Sequence, residues 1–359
     1  MSLHTRVLSV TRQGLDKMKT SGREQVPFVL RVQMDDNEEH EILARAVIDA
    51  SGTYEQPNPL GANGTFALGE RFLINAIFYG IPDIQGRHRA RYAGRRVLVV
   101  GSGHSAFNAL LDLAAVAAQV PSTRIVWAIR RPEIQQLFGG GERDALPARG
   151  QLGQRVQDLV DNGHIRLVTN VHIEALYRNE QGILIAGEEE RIGPVDEIIA
   201  STGFRPDLSL LRELRVALDP SVESPVTLAP LIDPNIHSCG TVPPHGVEEL
   251  AHPEQNFYIV GMKSYGRAPT FLMLTGYEQV RSIAAALVGD WESARHVELV
   301  LPETGVCSTG PGGSCAVPIQ EKVVEQISAP VVSASCCAPA VPQLLSVGAA
   351  RRRQGSCCG

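Results

Sequence analysis

The chain has 359 residues, 43% apolar and 20% charged, with 34 glycines, 23 prolines and a net charge of −6. That length predicts two domains, nothing in the acidic balance favours a nucleic-acid surface, and no apolar run is long enough to span a bilayer. The start, MSLHTRVLSVTRQG, has no apolar leader, and six of the seven cysteines lie from residue 307 onward, so a cytoplasmic, reducing setting is expected.

In chain order, VPFVLRVQM (26–34) and EILARAVIDA (41–50) read as strands joined by a polar turn. The second feeds Ala50-Ser51-Gly52 and a Pro-rich stretch, where backbone can approach a neighbour closely. The apolar run ending at Val100 has the pattern of a central parallel strand. A helix from about Ser105 to Ala118 carries Ala106, Leu110, Leu113 and Ala117 on one stripe. RIVWAIRR (124–131) is the next strand. A Gly/Pro-rich loop (138–150), a helix near 151–161, a strand at 164–169, a polar hairpin through 171–192 and a strand at 195–201 follow. This order is a βαβαβ unit and predicts an α/β, Rossmann-like doubly wound domain. Residues 207–255 read as irregular, 256–261 as a buried strand, and 270–289 as a helix pausing at Gly276. Beyond residue 296 no period is sustained, which predicts a disordered C-terminal tail.

The central motif is Gly101-Ser102-Gly103-His104-Ser105-Ala106, a GxGxxA turn between a strand and a helix. Gly101 permits the tight turn, Gly103 lets a pyrophosphate approach the backbone, and Ala106 lets the helix pack near the strand. The helix start then offers N–H groups and a positive dipole end to the phosphates. A βα turn that binds nothing is the alternative, and His104 reads as a polar cap rather than a catalyst. The second strand ends in Arg130-Arg131, where an NAD-preferring site would carry an acid. Arginines there pair with a 2′-phosphate, which favours NADPH over NADH; the alternative is two solvated strand-end charges.

Four stretches occur in a telling order: ARAVIDASGTYEQPNPLG (44–61), VLVVGSGHSAFNALLDLA (97–114), DEIIASTGFRPD (196–207) and NFYIVGMKSYGRAPTFLMLTGYEQV (256–280). Together they resemble the two-dinucleotide-binding-domain flavoproteins, the superfamily of thioredoxin-reductase-like enzymes and flavin-containing monooxygenases. The resemblance implies an NAD(P)H-binding domain (95–205) inserted in an FAD-binding domain (1–94 and 206–295), followed by a Cys-rich tail (296–359). It implies that the turns at Gly52 and Gly203 link the domains. The strand ending at Gly261 and the helix after Pro269 would approach the flavin ring. Hydride would pass from NADPH to FAD and on to a small-molecule acceptor or O2.

Three departures stand out. In the family an FAD-binding strand, GxGxxG turn and helix precede everything seen here, yet no GxG lies between residues 1 and 100. The FAD domain is therefore expected to be incomplete, through truncation, a partner that supplies the missing piece, or degeneration, with truncation favoured; its apolar sheet edges would be exposed. The monooxygenase pattern FxGxxxH begins at Phe78 but has Ile84 in place of histidine. No CxxC occurs anywhere, which argues against dithiol exchange at the flavin.

The tail holds Cys307, Cys315 and the adjacent pairs Cys336-Cys337 and Cys357-Cys358. Adjacent Cα atoms lie about 3.8 Å apart, short of the usual disulfide range, so such pairs suit a soft metal or metalloid ion. The terminal pair resembles that of mercuric reductases, and the tail resembles flavoproteins associated with arsenic resistance. A metal(loid)-binding protein linked to arsenic or mercury resistance is thus the second reading; inert exposed thiols are the plain alternative. No catalytic residue is identified. The loop Pro243-Pro244-His245-Gly246 is a candidate near the site, with a solvated loop as the plainer and favoured account, and a homodimer is left open.

Overall fold

In the computed structural model, which describes residues 3–35, 37–132, 138, 147–188, 190–237 and 242–299, the apolar run before Gly101 lies inside a parallel sheet. These residues all belong to the unit Met1–Gly313. Its first strands are β1 (Thr5–Arg12), β2 (Phe28–Met34), β3 (Glu39–Ala44), β4 (Val47–Asp49) and β5 (Ile77–Tyr79). There follow α1 (Arg89–Tyr92), β6 (Arg96–Val100), α2 (His104–Gln119), β7 (Arg124–Ala128), α3 (Pro147–Asp161) and β8 (Ile165–Val168). Next come β9 (Ile173–Asn179), β10 (Gly182–Gly187), β11 (Arg191–Val195) and β12 (Glu197–Ala200), then α4 (Ala229–Ile232), β13 (Phe257–Ile259), α5 (Met273–Leu287) and α6 (Trp291–Arg295).

Five strands form the main sheet in the order β5-β12-β6-β7-β8, all parallel. The pleat sends alternate side chains to opposite faces. Val97, Val99 and Ile199 pack with Leu110 and Leu113 of α2 and Val156 of α3, while Leu98, Val100 and Ala200 pack with Ile173, Ile183 and Ile192. The doubly wound expectation needs correction here. The presumed polar hairpin at 171–192 is a three-stranded antiparallel sheet, β11-β10-β9, whose inward apolar residues cover the face that helices would otherwise cover. From β6 the chain proceeds outward through β7 and β8, whereas β12 and β5 lie on the other side of β6. The topological switch point is therefore between β6 and β12, the place where open α/β sheets bind ligands.

A second parallel pair, β13-β4, has the same layering. Phe257 and Ile259 pack with Val10 and Phe28 of the antiparallel sheet β1-β2-β3, and Tyr258 and Val260 pack with Ile283 and Ala286 of α5. Among the described residues β4 pairs with β13 alone, and Ile48 is 38% exposed.

The single strand expected at 41–50 is two. β3 pairs antiparallel with β2 and β4 pairs parallel with β13, so the chain must turn between the two sheets at residues 45–46. β7 stops at Ala128, leaving Arg130 and Arg131 beyond the strand end. α5 starts at Met273 and runs through Gly276 without a pause; a Cβ at Gly276 would lie 2.9 Å from the Phe271 ring. On α2, Val116 rather than Ala117 is fully buried. Arg12 and Arg23 converge on Glu254 at 2.8 and 2.7 Å, all three buried. Burial pushes that carboxyl up, but hydrogen bonds from Arg23, the Arg215 N–H and Arg12 hold it below the usual carboxylate range.

Candidate functional site

The end of β6 is fixed from two sides. Gly101 donates its N–H to the Ala128 carbonyl at 3.1 Å, and its own carbonyl accepts from Trp127 Nε1 at 2.7 Å. Gly101 has φ +130°, and a Cβ there would lie 2.3 Å from the Ser201 carbonyl oxygen. Only glycine lets the β6 turn press against the end of β12.

Gly103 behaves differently. Its φ is −92°, and a Cβ there would meet nothing within 4 Å. α2 starts at the next residue with no side-chain cap, and its first bonds run from Ala106 and Phe107 N–H to the Gly103 carbonyl at 3.0 and 3.2 Å. The N–H groups of Gly103, His104 and Ser105 precede those bonds and share the positive end of a 16-residue helix. Ser102 and Ser105 are half-buried beside this opening, and Ala106 is buried under the helix. His104 is exposed at the first helical position, with its ring centroid 6.2 Å from that of Phe107.

One strand over, exposed Arg130 donates from Nη1 to the Ala62 carbonyl at 3.3 Å. The Arg131 carbonyl accepts from Asn170 N–H at 3.1 Å. On the opposite side of Gly101, the Ser201 hydroxyl is buried and has no hydrogen-bond partner. An open glycine, an uncapped helix start and an orphaned hydroxyl fit a pyridine dinucleotide.

Gly52 and Gly203, two of the other predicted glycines, follow the ends of β4 and β12. After Gly52 and Gly203 the two connecting segments pair with each other. Asn58 N–H donates to the Gly203 carbonyl at 2.9 Å, Arg205 N–H to Gln56 at 2.8 Å, and Thr202 Oγ1 to the Asn58 carbonyl at 2.6 Å. A cavity of about 790 Å³ opens beside them, with Gln56, Pro57, Arg71, Arg205 and Glu223 in its wall. Gly261 follows β13 and donates its N–H to Gln279 Oε1 at 2.8 Å.

Beneath that turn is an ion pair that sequence reasoning missed. Lys263 Nζ lies 2.7 Å from Asp49 Oδ2 and donates to Ser51 Oγ at 2.9 Å, with the lysine side chain fully buried. The signal was available, because an acid inside the apolar run VIDA requires a buried partner. The loop at 243–246 is solvated only in part: Pro244 is exposed, but His245 and Gly246 are buried, the ring packed between the Pro243 carbonyl and Gln279. Burial holds the His245 pKa below the usual histidine value.

FAD fits these residues only in part. Turns follow β4 and β13, yet among the described residues no Gly-x-Gly turn other than that after β6 joins a strand directly to a helix. Among the described residues a second dinucleotide finds no second cradle of that kind for its diphosphate. Cys239, Cys336, Cys337, Cys357 and Cys358 lie outside the described residues, among which no His/Cys/Asp/Glu group could hold a metal. No helix among them is long and apolar enough to cross a membrane.

Residues 31–229 match the family model for pyridine nucleotide-disulphide oxidoreductases. A ferredoxin–NADP reductase of Nocardioides sp. is 28% identical over 186 residues, 51% of this chain and 46% of that protein. The chain thus spans about half the length of the relative it matches. Two solved structures share the fold, the bacillithiol disulfide reductases of Bacillus cereus and Staphylococcus aureus. Their TM-scores are 0.54 and 0.53 at 18% and 17% identity, over 79% of this chain and 71% and 70% of theirs. The family match takes in more than half of the sequence, including β6, the glycine turn and β12, and on that ground the chain belongs to the pyridine nucleotide-disulphide oxidoreductase family.

Proposed function

We propose that the chain binds NADPH across the crevice between β6 and β12 and acts as the nicotinamide side of a flavin-dependent oxidoreductase. The observation that carries the reading is the open, uncapped helix start at Gly103 with Arg130 at the end of the adjacent strand. The diphosphate sits on the N–H groups at 103–105, and Arg130, with Arg131 beside it, meets the 2′-phosphate. The family implies FAD as well as NAD(P)H, and a bound flavin supplies the hydride acceptor. This chain's residues bind, orient and shelter the nicotinamide nucleotide.

The reading is tested on immobilised 2′,5′-ADP. The protein is expected to be retained and to elute with NADPH at far lower concentration than with NADH. Passage straight through the resin by folded protein contradicts it.

The two vicinal cysteine pairs support a second activity on sequence grounds. They hold a soft ion such as arsenite, and changing Cys336, Cys337, Cys357 and Cys358 to Ser abolishes that binding.

A further inference from the structure

Ser201 is 9% exposed, and its hydroxyl oxygen is shielded from solvent with no hydrogen-bond partner. A buried hydroxyl without a partner is disfavoured and calls for an explanation. Its place supplies one. Ser201 follows β12 and continues its pairing, donating its N–H to the Val100 carbonyl at 2.8 Å. Two residues earlier Ile199 packs into the core shared with α2, so the pleat turns Ser201 to the α2 side. The Gly101 turn presses on it, with the Ser201 Cβ 3.3 Å from where a Gly101 Cβ would stand. Arg130 extends from the end of β7, on the other side of β6.

We infer that the Ser201 hydroxyl is a ligand-binding group whose partner is the nicotinamide-side half of the bound dinucleotide. This rests on the nucleotide reading above. A dinucleotide laid across the switch point with its 2′-phosphate at Arg130 carries its other half over the end of β12. There a turn of the Ser201 side chain about χ1 brings its hydroxyl, shielded in the ligand-free protein, to a ribose or phosphate oxygen of that half, and the unpaired state is exchanged for a hydrogen bond.

The test is Ser201→Ala, measured by calorimetry with NADPH, NADH and 2′,5′-ADP and by thermal unfolding of the ligand-free protein. NADPH and NADH are each expected to bind about 5- to 10-fold more weakly, the worth of one hydrogen bond. The affinity for 2′,5′-ADP, which lacks the nicotinamide half, stays unchanged, and the ligand-free Tm holds or rises because an unsatisfied polar group has gone. Unchanged NADPH affinity in Ser201→Ala, an equal loss with 2′,5′-ADP, or a fall in the ligand-free Tm overturns the inference. In each of those cases the nucleotide reading survives if the wild type binds NADPH; a wild type that binds none of the three ligands removes both.

Discussion

Gly101 and Ser201 are in backbone contact: any side chain at 101 would begin 2.3 Å from the Ser201 carbonyl oxygen. The contact joins the ends of two adjacent parallel strands that are 100 positions apart in the chain, and the crevice forms above it. Gly101→Ala must therefore move β12 or β6, and the φ of +130° adds backbone strain. We expect a loss of about 2–5 kcal/mol, read as a lower midpoint in urea unfolding. A midpoint within error of wild type would contradict the contact.

Gly103 gives the opposite expectation, because its conformation is ordinary and the space beside it is open. Gly103→Val should leave the Tm within a few degrees and weaken NADPH binding by about 10- to 100-fold, since the side chain fills the volume meant for the diphosphate. The pair of variants separates a glycine needed by the fold from one needed by the ligand. A Gly103→Val protein that binds NADPH normally would remove the diphosphate from this turn.

How much of this was legible in sequence follows from which forces are local. The strand at 97–100, the helix after Gly103 and the strands at 124 and 165 announce themselves by apolar periodicity, and the glycine turn by its place between them. The layer on the second face was not legible. The segment 171–195 is polar on one side, and only the inward positions Ile173, Ile183, Ile192 and Val195 show that it covers a sheet. The break at residues 45–46 depends on which sheets claim the two flanking strands, a contest no local pattern records. Lys263, Asp49 and Ser201 acquire their meaning only from partners, or the lack of one, that long-range pairing creates.

The Lys263–Asp49 pair is buried from both sides, and Asp49 Oδ1 also accepts from Ser51 N–H and Oγ at 3.0 and 2.7 Å. Removing the lysine strands a carboxylate at the end of β4. Lys263→Met should cost about 3–5 kcal/mol, and adding Asp49→Asn should recover part of it. A double variant no more stable than Lys263→Met would show that the two groups are not coupled.

His252, whose ring centroid lies 5.8 Å from that of Phe257 in β13, predicts an acid response. Burial pushes its ring pKa down to about 4, whereas in the unfolded chain it titrates near 6.5. Between those values the unfolded state binds the extra proton, so stability is full above about pH 6.5 and falls as the pH drops toward 4. The loss is on the order of 2–3 kcal/mol. Urea midpoints measured across that window should decline in wild type and decline less in His252→Phe; parallel curves would contradict the assignment.

The paired arginines predict coenzyme choice. Replacing both Arg130 and Arg131 with Ala should weaken NADPH by about tenfold or more, the value of charge-assisted hydrogen bonds, while NADH changes little. The resulting ratio of affinities, and not either affinity alone, is the quantity to measure.

Isothermal titration of folded wild-type protein with NADPH and with NADH addresses the central claim most directly. The account predicts one site per chain for NADPH with an affinity at least tenfold above that for NADH. Absence of heat with both nucleotides, or a preference for NADH, would contradict it.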